Sequence, residues 1–222
     1  MHITFHGQSC FEILIKQEKD SDTKLVIDPY DEKTGLRIPK LEADIILISH
    51  DHFDHNNVKG VLPAKKEESP FVIDGPGEYE KKGVFINGIP GFHDNSNGKE
   101  RGRITMYTID AEEMRLLHLG DLGQKELTDE QMERIGDVDI LMIPVGGTFT
   151  ISSKEAVSIM SQIEPKIIIP MHYKIPKLTL EIDDLQKFLK EMGLKSLEPL
   201  PKIVIKKKDL PDDEAKIIVL NP

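Results

Sequence analysis

One segment limits what this chain can become: Asp44-Ile-Ile-Leu-Ile-Ser-His50-Asp-His52-Phe-Asp54-His55. A buried-strand pattern there runs straight into three histidines and two aspartates. Four of them follow the spacing H-x-H-x-D-H. If the residues after the strand stay extended, His50 and His52 point to the same side and both imidazoles reach one ion. A turn into a helix near Asp54 then lets the adjacent Asp54 and His55 project towards a second ion. Imidazole and carboxylate at this density suit zinc and similar metals, whereas a plain surface turn gives no reason for them.

Three other strand-like runs end in candidate donors: Val84 to His93, Met114 to Asp121 and Lys166 to His172. Loops at one end of packed strands are where folds of this kind assemble sites. The repeated punctuation therefore carries more weight than any single histidine. Apolar, β-branched runs predict strands at Ile3–Phe5, Phe11–Ile15, Lys24–Ile27, Ile45–Ile48, Val84–Ile89, Ile104–Ile109, Arg115–Leu119, Ile140–Ile143, Ile167–Ile169 and Ile203–Ile205. Thr128 with Gln131 and Ser152 with Glu155 have capping-box spacing ahead of helices over Glu130–Ile135 and Lys154–Ile163, stopped by Gly136 and Pro165. A third helix is predicted over Glu181–Met192, with Leu185, Phe188, Leu189 and Met192 on its core face and Gly193 after it. Strands form meanders in the first half and alternate with helices in the second. The class is mixed α/β.

Glycine and proline are scattered and no linker-like tract appears, so residues 1–222 are expected to form one unit. No apolar run is long enough to span a bilayer and the N-terminus lacks a signal-peptide pattern, which predicts a cytoplasmic protein. The single cysteine, Cys10, has no partner for an internal disulfide and reads as a small buried hydrophobe. A formal net charge of −10 opposes broad binding to nucleic acid.

The H-x-H-x-D-H segment, the lone His93, the Gly120-Asp121 pair and the late His172 together resemble the metal-ligand series of the metallo-β-lactamase superfamily. The opening Ile3-Thr-Phe-His-Gly-Gln-Ser-Cys-Phe and Val26-Ile-Asp28-Pro29 are similar to its small prokaryotic zinc-dependent hydrolases related to ascorbate-6-phosphate lactonase. The resemblance covers the whole chain. It implies an αββα sandwich of two mixed β-sheets with helices on the outer faces. It also implies that His50, His52 and His93 hold one metal, that Asp54, His55 and His172 hold another, and that Asp121 bridges them. The two divalent ions are expected to be zinc, with manganese, iron and nickel as alternatives. The sequence departs from many relatives at Gln8, where a histidine often precedes the serine, and at His6, where an apolar residue is common.

Around this set, His6 reads as a structural or surface histidine, His118 as a hydrogen-bonded core histidine, and Asp28 as a carboxylate supporting the histidine loop. His2 has no role. Lys99, Arg101 and Arg103 follow His93 in a glycine-loosened turn that is either solvated or able to clasp an anionic group. Gly146-Gly147-Thr148 fits a tight turn near the pocket mouth.

The expected chemistry is hydrolysis by a hydroxide shared between two metals, with Asp54 holding it and returning its proton to the leaving group. The net positive metal site favours a small anionic substrate with an ester, lactone, phosphoester or amide bond. Three other classes compete. A nucleic-acid phosphodiesterase is disfavoured by the acidic charge, and di-iron redox chemistry by His52 at a position where a glutamate is typical. A non-catalytic metal-binding interaction protein is disfavoured by the intact ligand set.

Overall fold

The computed structural model describes residues 1–17, 22–37 and 39–222. Its first seven strands are β1 (His2–Phe5), β2 (Phe11–Ile15), β3 (Thr23–Ile27), β4 (Leu41–Ala43), β5 (Ile45–Leu47), β6 (Val61–Pro63) and β7 (Phe71–Ile73). Then come β8 (Gly77–Lys81), β9 (Val84–Phe92), β10 (Arg103–Ala111), β11 (Met114–His118), β12 (Ile140–Pro144), β13 (Ile167–Met171), β14 (Ile203–Val204) and β15 (Lys216–Ile217). Three helices, α1 (Asp129–Ile135), α2 (Ser153–Ile163) and α3 (Leu185–Glu191), alternate with the later strands.

The strands form two large mixed sheets, ordered β14-β1-β2-β3-β5-β7 and β15-β13-β12-β11-β10-β9-β8, with β4 and β6 paired separately. This is the mixed α/β sandwich that the sequence led us to expect. In the first sheet β1, β2 and β3 are an antiparallel meander, and β5 and β7 then add in parallel. In the second, β8 to β11 are an antiparallel meander, followed by parallel β12, β13 and β15. Every residue of β5, β12 and β13 is buried, as expected of parallel strands covered on both faces. In β2 buried and half-buried positions alternate instead, so that sheet keeps one wetter face.

Two cross-links fix how the sheets face each other. The Tyr107 hydroxyl on β10 donates to the carbonyl of Ile48 at 2.8 Å, and the Thr105 amide donates to that of Ser49 at 2.8 Å. One continuous hydrophobic core runs from Met1 to Leu220. Among the described residues no helix is long and apolar enough to cross a membrane.

Both predicted capping boxes form, at Thr128 with Gln131 and at Ser152 with Glu155. The third helix is shorter than expected. It begins at Leu185, with Asp184 as its cap, because the Asp183 amide donates to Gly146 and the Asp183 carbonyl accepts from Lys174. Those bonds hold residues 183 and 184 extended against the loop after β12. Five short strands, β4, β6, β7, β8 and β15, were not expected. The edge strand β8 reads Gly-Glu-Tyr-Glu-Lys and lacks an apolar face, which is how sheet edges avoid pairing with other chains.

Asp139, just before β12, ties three strands together. It accepts from the Arg115 amide at 3.0 Å and from the ammonium groups of Lys166 and Lys207 at 2.9 and 3.0 Å. Burial pushes this carboxyl up, but those donors outweigh it and hold it below the usual range. We therefore expect Asp139→Ala to lower stability by about 1 kcal/mol at pH 7, mostly through the buried amide bond. Because the folded pKa lies below the unfolded one, the wild type's advantage is full above about pH 4 and shrinks as the carboxyl protonates below that. Urea unfolding of both proteins at pH 7 and pH 3 measures the difference.

Candidate metal centre

Strand direction explains why donors far apart in sequence meet. Strand β9 is antiparallel to β10, and β10 to β11, so β9 and β11 run the same way, as do β12 and β13. Their C-terminal ends share one edge of the second sheet. His93 follows β9, Asp121 lies three residues past β11, and His172 follows β13. The segment His50 to His55 leaves the C-terminal end of β5 in the opposing sheet.

The seven residues singled out in the sequence fall into two groups. Donor atoms of His50, His52 and His93 lie within 4.8 Å of one another, and so do those of Asp54, His55, Asp121 and His172. The Asp121 Oδ2 atom sits 3.2 Å from His55 Nε2, 3.1 Å from His172 Nε2 and 3.7 Å from His93 Nε2, between the groups. Six of the seven are buried, while His52 is exposed at the rim.

Hydrogen bonds around the donors fix which nitrogens face inward. The Ser49 hydroxyl donates to Asp28 Oδ2 at 2.6 Å, so it accepts from Nδ1–H of His50 at 2.9 Å. His55 Nδ1–H donates to the same Asp28 oxygen at 2.9 Å. Both histidines therefore turn Nε2 inward, the orientation of metal-binding imidazoles whose other nitrogen a carboxylate or its relay holds. His50 Nε2 faces His52 Nδ1 at 2.9 Å. Two nitrogens on one tetrahedral ion stand roughly 3.3 Å apart, given metal–nitrogen bonds of about 2.05 Å. The buried Nε2 atoms of His55 and His172 make no hydrogen bond of acceptable geometry despite their closeness to Asp121. Orphaned buried nitrogens carry a desolvation penalty that a bound cation removes, so the donor set fits a metal.

The electrostatics agree. Burial pushes the His50 imidazole down to about 3, reinforced by neighbouring His55, and leaves it neutral and able to ligate. Burial also lowers His93. His55 goes the other way: burial opposes its charge, but Asp121, Asp54 and Asp28 surround it and raise it well above its ordinary value. Asp121 resists burial in the same manner, held well below the usual carboxylate range by His172 and His55. A cluster that stabilises positive charge at its centre is prepared for a cation.

The N-terminal loop, to which sequence reasoning gave no role, docks on this centre. Gln8 Nε2 donates to Asp54 Oδ2 at 3.0 Å, and the Ser9 hydroxyl donates to Asp121 Oδ1 at 3.4 Å. Gln8 also accepts from the His172 amide at 2.7 Å. The available signal was Gly7-Gln-Ser, a polar break between two apolar strands. Gln8, Asp28 and His172 all hold left-handed backbone, at φ 54°, 46° and 51°, and such strain gathers at functional sites.

Other candidates sort cleanly. His118 donates through Nε2 to the Ser9 carbonyl at 3.0 Å and accepts from the Gly120 amide at 3.1 Å, which makes it a structural histidine. His6 lies against Glu12 at 3.3 Å, away from the cleft. Cys10 is fully buried and burial pushes its thiol up, as suits an inert core residue. Of Lys99, Arg101 and Arg103, only Arg101 lines the cleft over the donors, which measures about 420 Å³. Gly146 does not line it. A Cβ on Gly146 would lie 2.1 Å from the His172 carbonyl oxygen, so its absence lets β12 and β13 close up behind His172.

Comparison with known proteins relates the whole chain to a family. The β-lactamase superfamily domain model matches residues 2–172. A UPF0173 protein of Pyrococcus furiosus is 31% identical over 86% of this chain and 90% of its own length. A UPF0173 metal-dependent hydrolase of Thermococcus onnurineus is 26% identical over 84% of this chain and 91% of its own. Among solved structures, a candidate zinc-dependent hydrolase of the metallo-β-lactamase superfamily from Thermotoga maritima is 34% identical. It superposes with a TM-score of 0.76, covering 99% of this chain and 97% of that one.

Two substitutions test how the centre is held. Asp28→Asn keeps a side chain that tolerates the left-handed backbone but replaces a double acceptor. It is expected to weaken metal affinity by about 10–100-fold in a folded protein, read by competition with a chromogenic chelator. Gly146→Ala, which presses on the backbone of His172 from behind the cleft, is expected to destabilise the fold by roughly 1–3 kcal/mol through overpacking. Thermal unfolding measures it.

Proposed function

We infer the chemistry of this site from membership: the chain belongs to the metallo-β-lactamase superfamily and is a metal-dependent hydrolase. In the reading proposed here, His50, His52 and His93 hold one divalent ion, and Asp54, His55 and His172 hold a second. Asp121 stands between them, and zinc is the preferred metal for a His-rich mixed nitrogen and oxygen set. The supporting observation is the pair of donor groups with buried, inward-facing imidazole nitrogens that lack hydrogen-bond partners.

When bound, the metals supply a Lewis acid and a water acidified towards neutral pH. The chain's own groups do the rest. Asp28 and Ser49 hold His50 and His55 in the tautomers that ligate. Gln8 and Ser9 restrain the carboxylates of Asp54 and Asp121 from the side. Asp54 lines the cleft, where its carboxylate holds the proton of the attacking water by hydrogen bond and returns it to the leaving group. The substrate is a small molecule, anionic in character, cleaved at an ester, lactone, phosphoester or amide bond.

His50→Ala or Asp54→Ala is expected to abolish bound metal or cut turnover by about a hundredfold or more, while His2→Ala changes neither. Elemental analysis of each purified protein, with a substrate screen run with and without chelator, reads both. Full metal content and activity in both His50→Ala and Asp54→Ala would remove the assignment.

A further inference from the structure

The walls of the cleft differ in chemistry from its floor. Above the metal-binding donors stand Phe53, Phe149 and Leu180, together with Glu100 and Arg101. Phe53 and Phe149 are 40% and 36% exposed, so each offers aromatic surface to whatever fills the cleft. Among the described residues lining the cleft, Arg101 alone carries a fixed positive charge. Its guanidinium carbon stands 5.9 Å from the Phe149 ring centroid. Among the described residues Arg101 enters no ion pair, while Lys125 pairs with Glu155.

The base of this arginine is built rather than loose. Asp94, directly after His93, accepts the amides of Ser96, Gly98, Glu100 and Arg101 at 2.7, 2.9, 3.0 and 2.8 Å. Four backbone donors on one carboxylate fix residues 94 to 101 as a unit beside the metal-binding donors. Less backbone freedom is then lost when Arg101 closes on a ligand. Glu100 is engaged by the Ser96 hydroxyl at 2.7 Å and lies in the same lining.

A single guanidinium fork matches one carboxylate through two parallel hydrogen bonds. Bound at the Arg101 wall rather than on the metal-binding floor, a phosphate dianion would keep a second charge beside Glu100 with no further cationic side chain in the lining to meet it. The apolar walls ask for a hydrophobic body, and a cleft of about 420 Å³ holds a molecule of that size. We propose that the substrate carries one carboxylate and an apolar or aromatic body, with Arg101 binding the carboxylate and Phe149 and Phe53 enclosing the body. This deepens the hydrolase reading and rests on it, since the reacting bond must reach the same floor.

The test is calorimetric titration of zinc-reconstituted protein with 4-phenylbutyrate, its neutral amide and phenyl phosphate. Wild type is compared with Arg101→Ala and Phe149→Ala, and metal content is measured on every sample. Wild type is expected to bind the acid about tenfold tighter than the amide, and tighter than phenyl phosphate. Arg101→Ala should erase that preference with metal content unchanged. Phe149→Ala should weaken acid and amide alike. Equal acid binding by wild type and Arg101→Ala overturns the proposal, as does no preference for the acid, no binding at all, or a preference for phenyl phosphate. The two readings separate on the same samples. Acid binding that disappears on chelation but survives Arg101→Ala puts the carboxylate on the metals and leaves the hydrolase standing. Failure of wild type to bind zinc, manganese, iron or nickel removes the two-metal reading itself.

Discussion

The buried carboxylate of Asp28 accepts from the Ser49 amide at 2.7 Å, from the Ser49 hydroxyl and from His55 Nδ1. Burial alone would keep this acid protonated, but His55 above all brings it below the ordinary range, so it is ionised and an acceptor only. An acceptor-only group dictates the proton positions around it. Ser49 must point its hydrogen at Asp28, His50 must then donate to Ser49, and His55 must donate to Asp28. Two inward-facing Nε2 atoms follow from one ionised group. Removing it would free both rings to change tautomer and orientation, and the rest of the centre depends on those two rings.

The backbone serves the same end. Parallel pairing of β11, β12 and β13 brings their C-terminal ends to one edge, and β9 reaches that edge through two antiparallel reversals. The opposing sheet delivers His50 to His55 from β5, and the bonds of Tyr107 and Thr105 set the distance between the layers. Glycines allow the close approaches that remain. A Cβ on Gly120 would meet Ser49 at 2.7 Å, and one on Gly123 would meet the His93 backbone at 2.3 Å. Rigid sheets carry the donors, and the variable chemistry of the cleft wall sits on loops, a division that lets one scaffold serve many substrates.

The cores of the long strands and both capped helices were legible because their signals are local: β-branched runs, capping boxes, a glycine after a helix. The short strands were not. Three residues such as Phe71–Ile73 become a strand only because β5 lies alongside to pair with them, and β8 has no apolar periodicity to detect. The start of α3 was misjudged for a similar reason, since Asp183 is held extended by Gly146 and Lys174, partners distant in sequence. Gln8 and Ser9 look like an ordinary polar turn until folding sets them against Asp54 and Asp121.

The chain alone determined the donor chemistry and where the longer strands lie along it. Ligand identity is a property of residue type, and burial patterns are periodic along the chain. Tertiary structure alone decided which ring nitrogens face inward, that Gln8 and Ser9 dock on the centre, and that Arg101, rather than Lys99 or Arg103, faces the cleft. Those facts depend on hydrogen bonds and packing between segments as far apart as Ser9 and Asp121, or Gln8 and His172. No local pattern encodes contacts of that range.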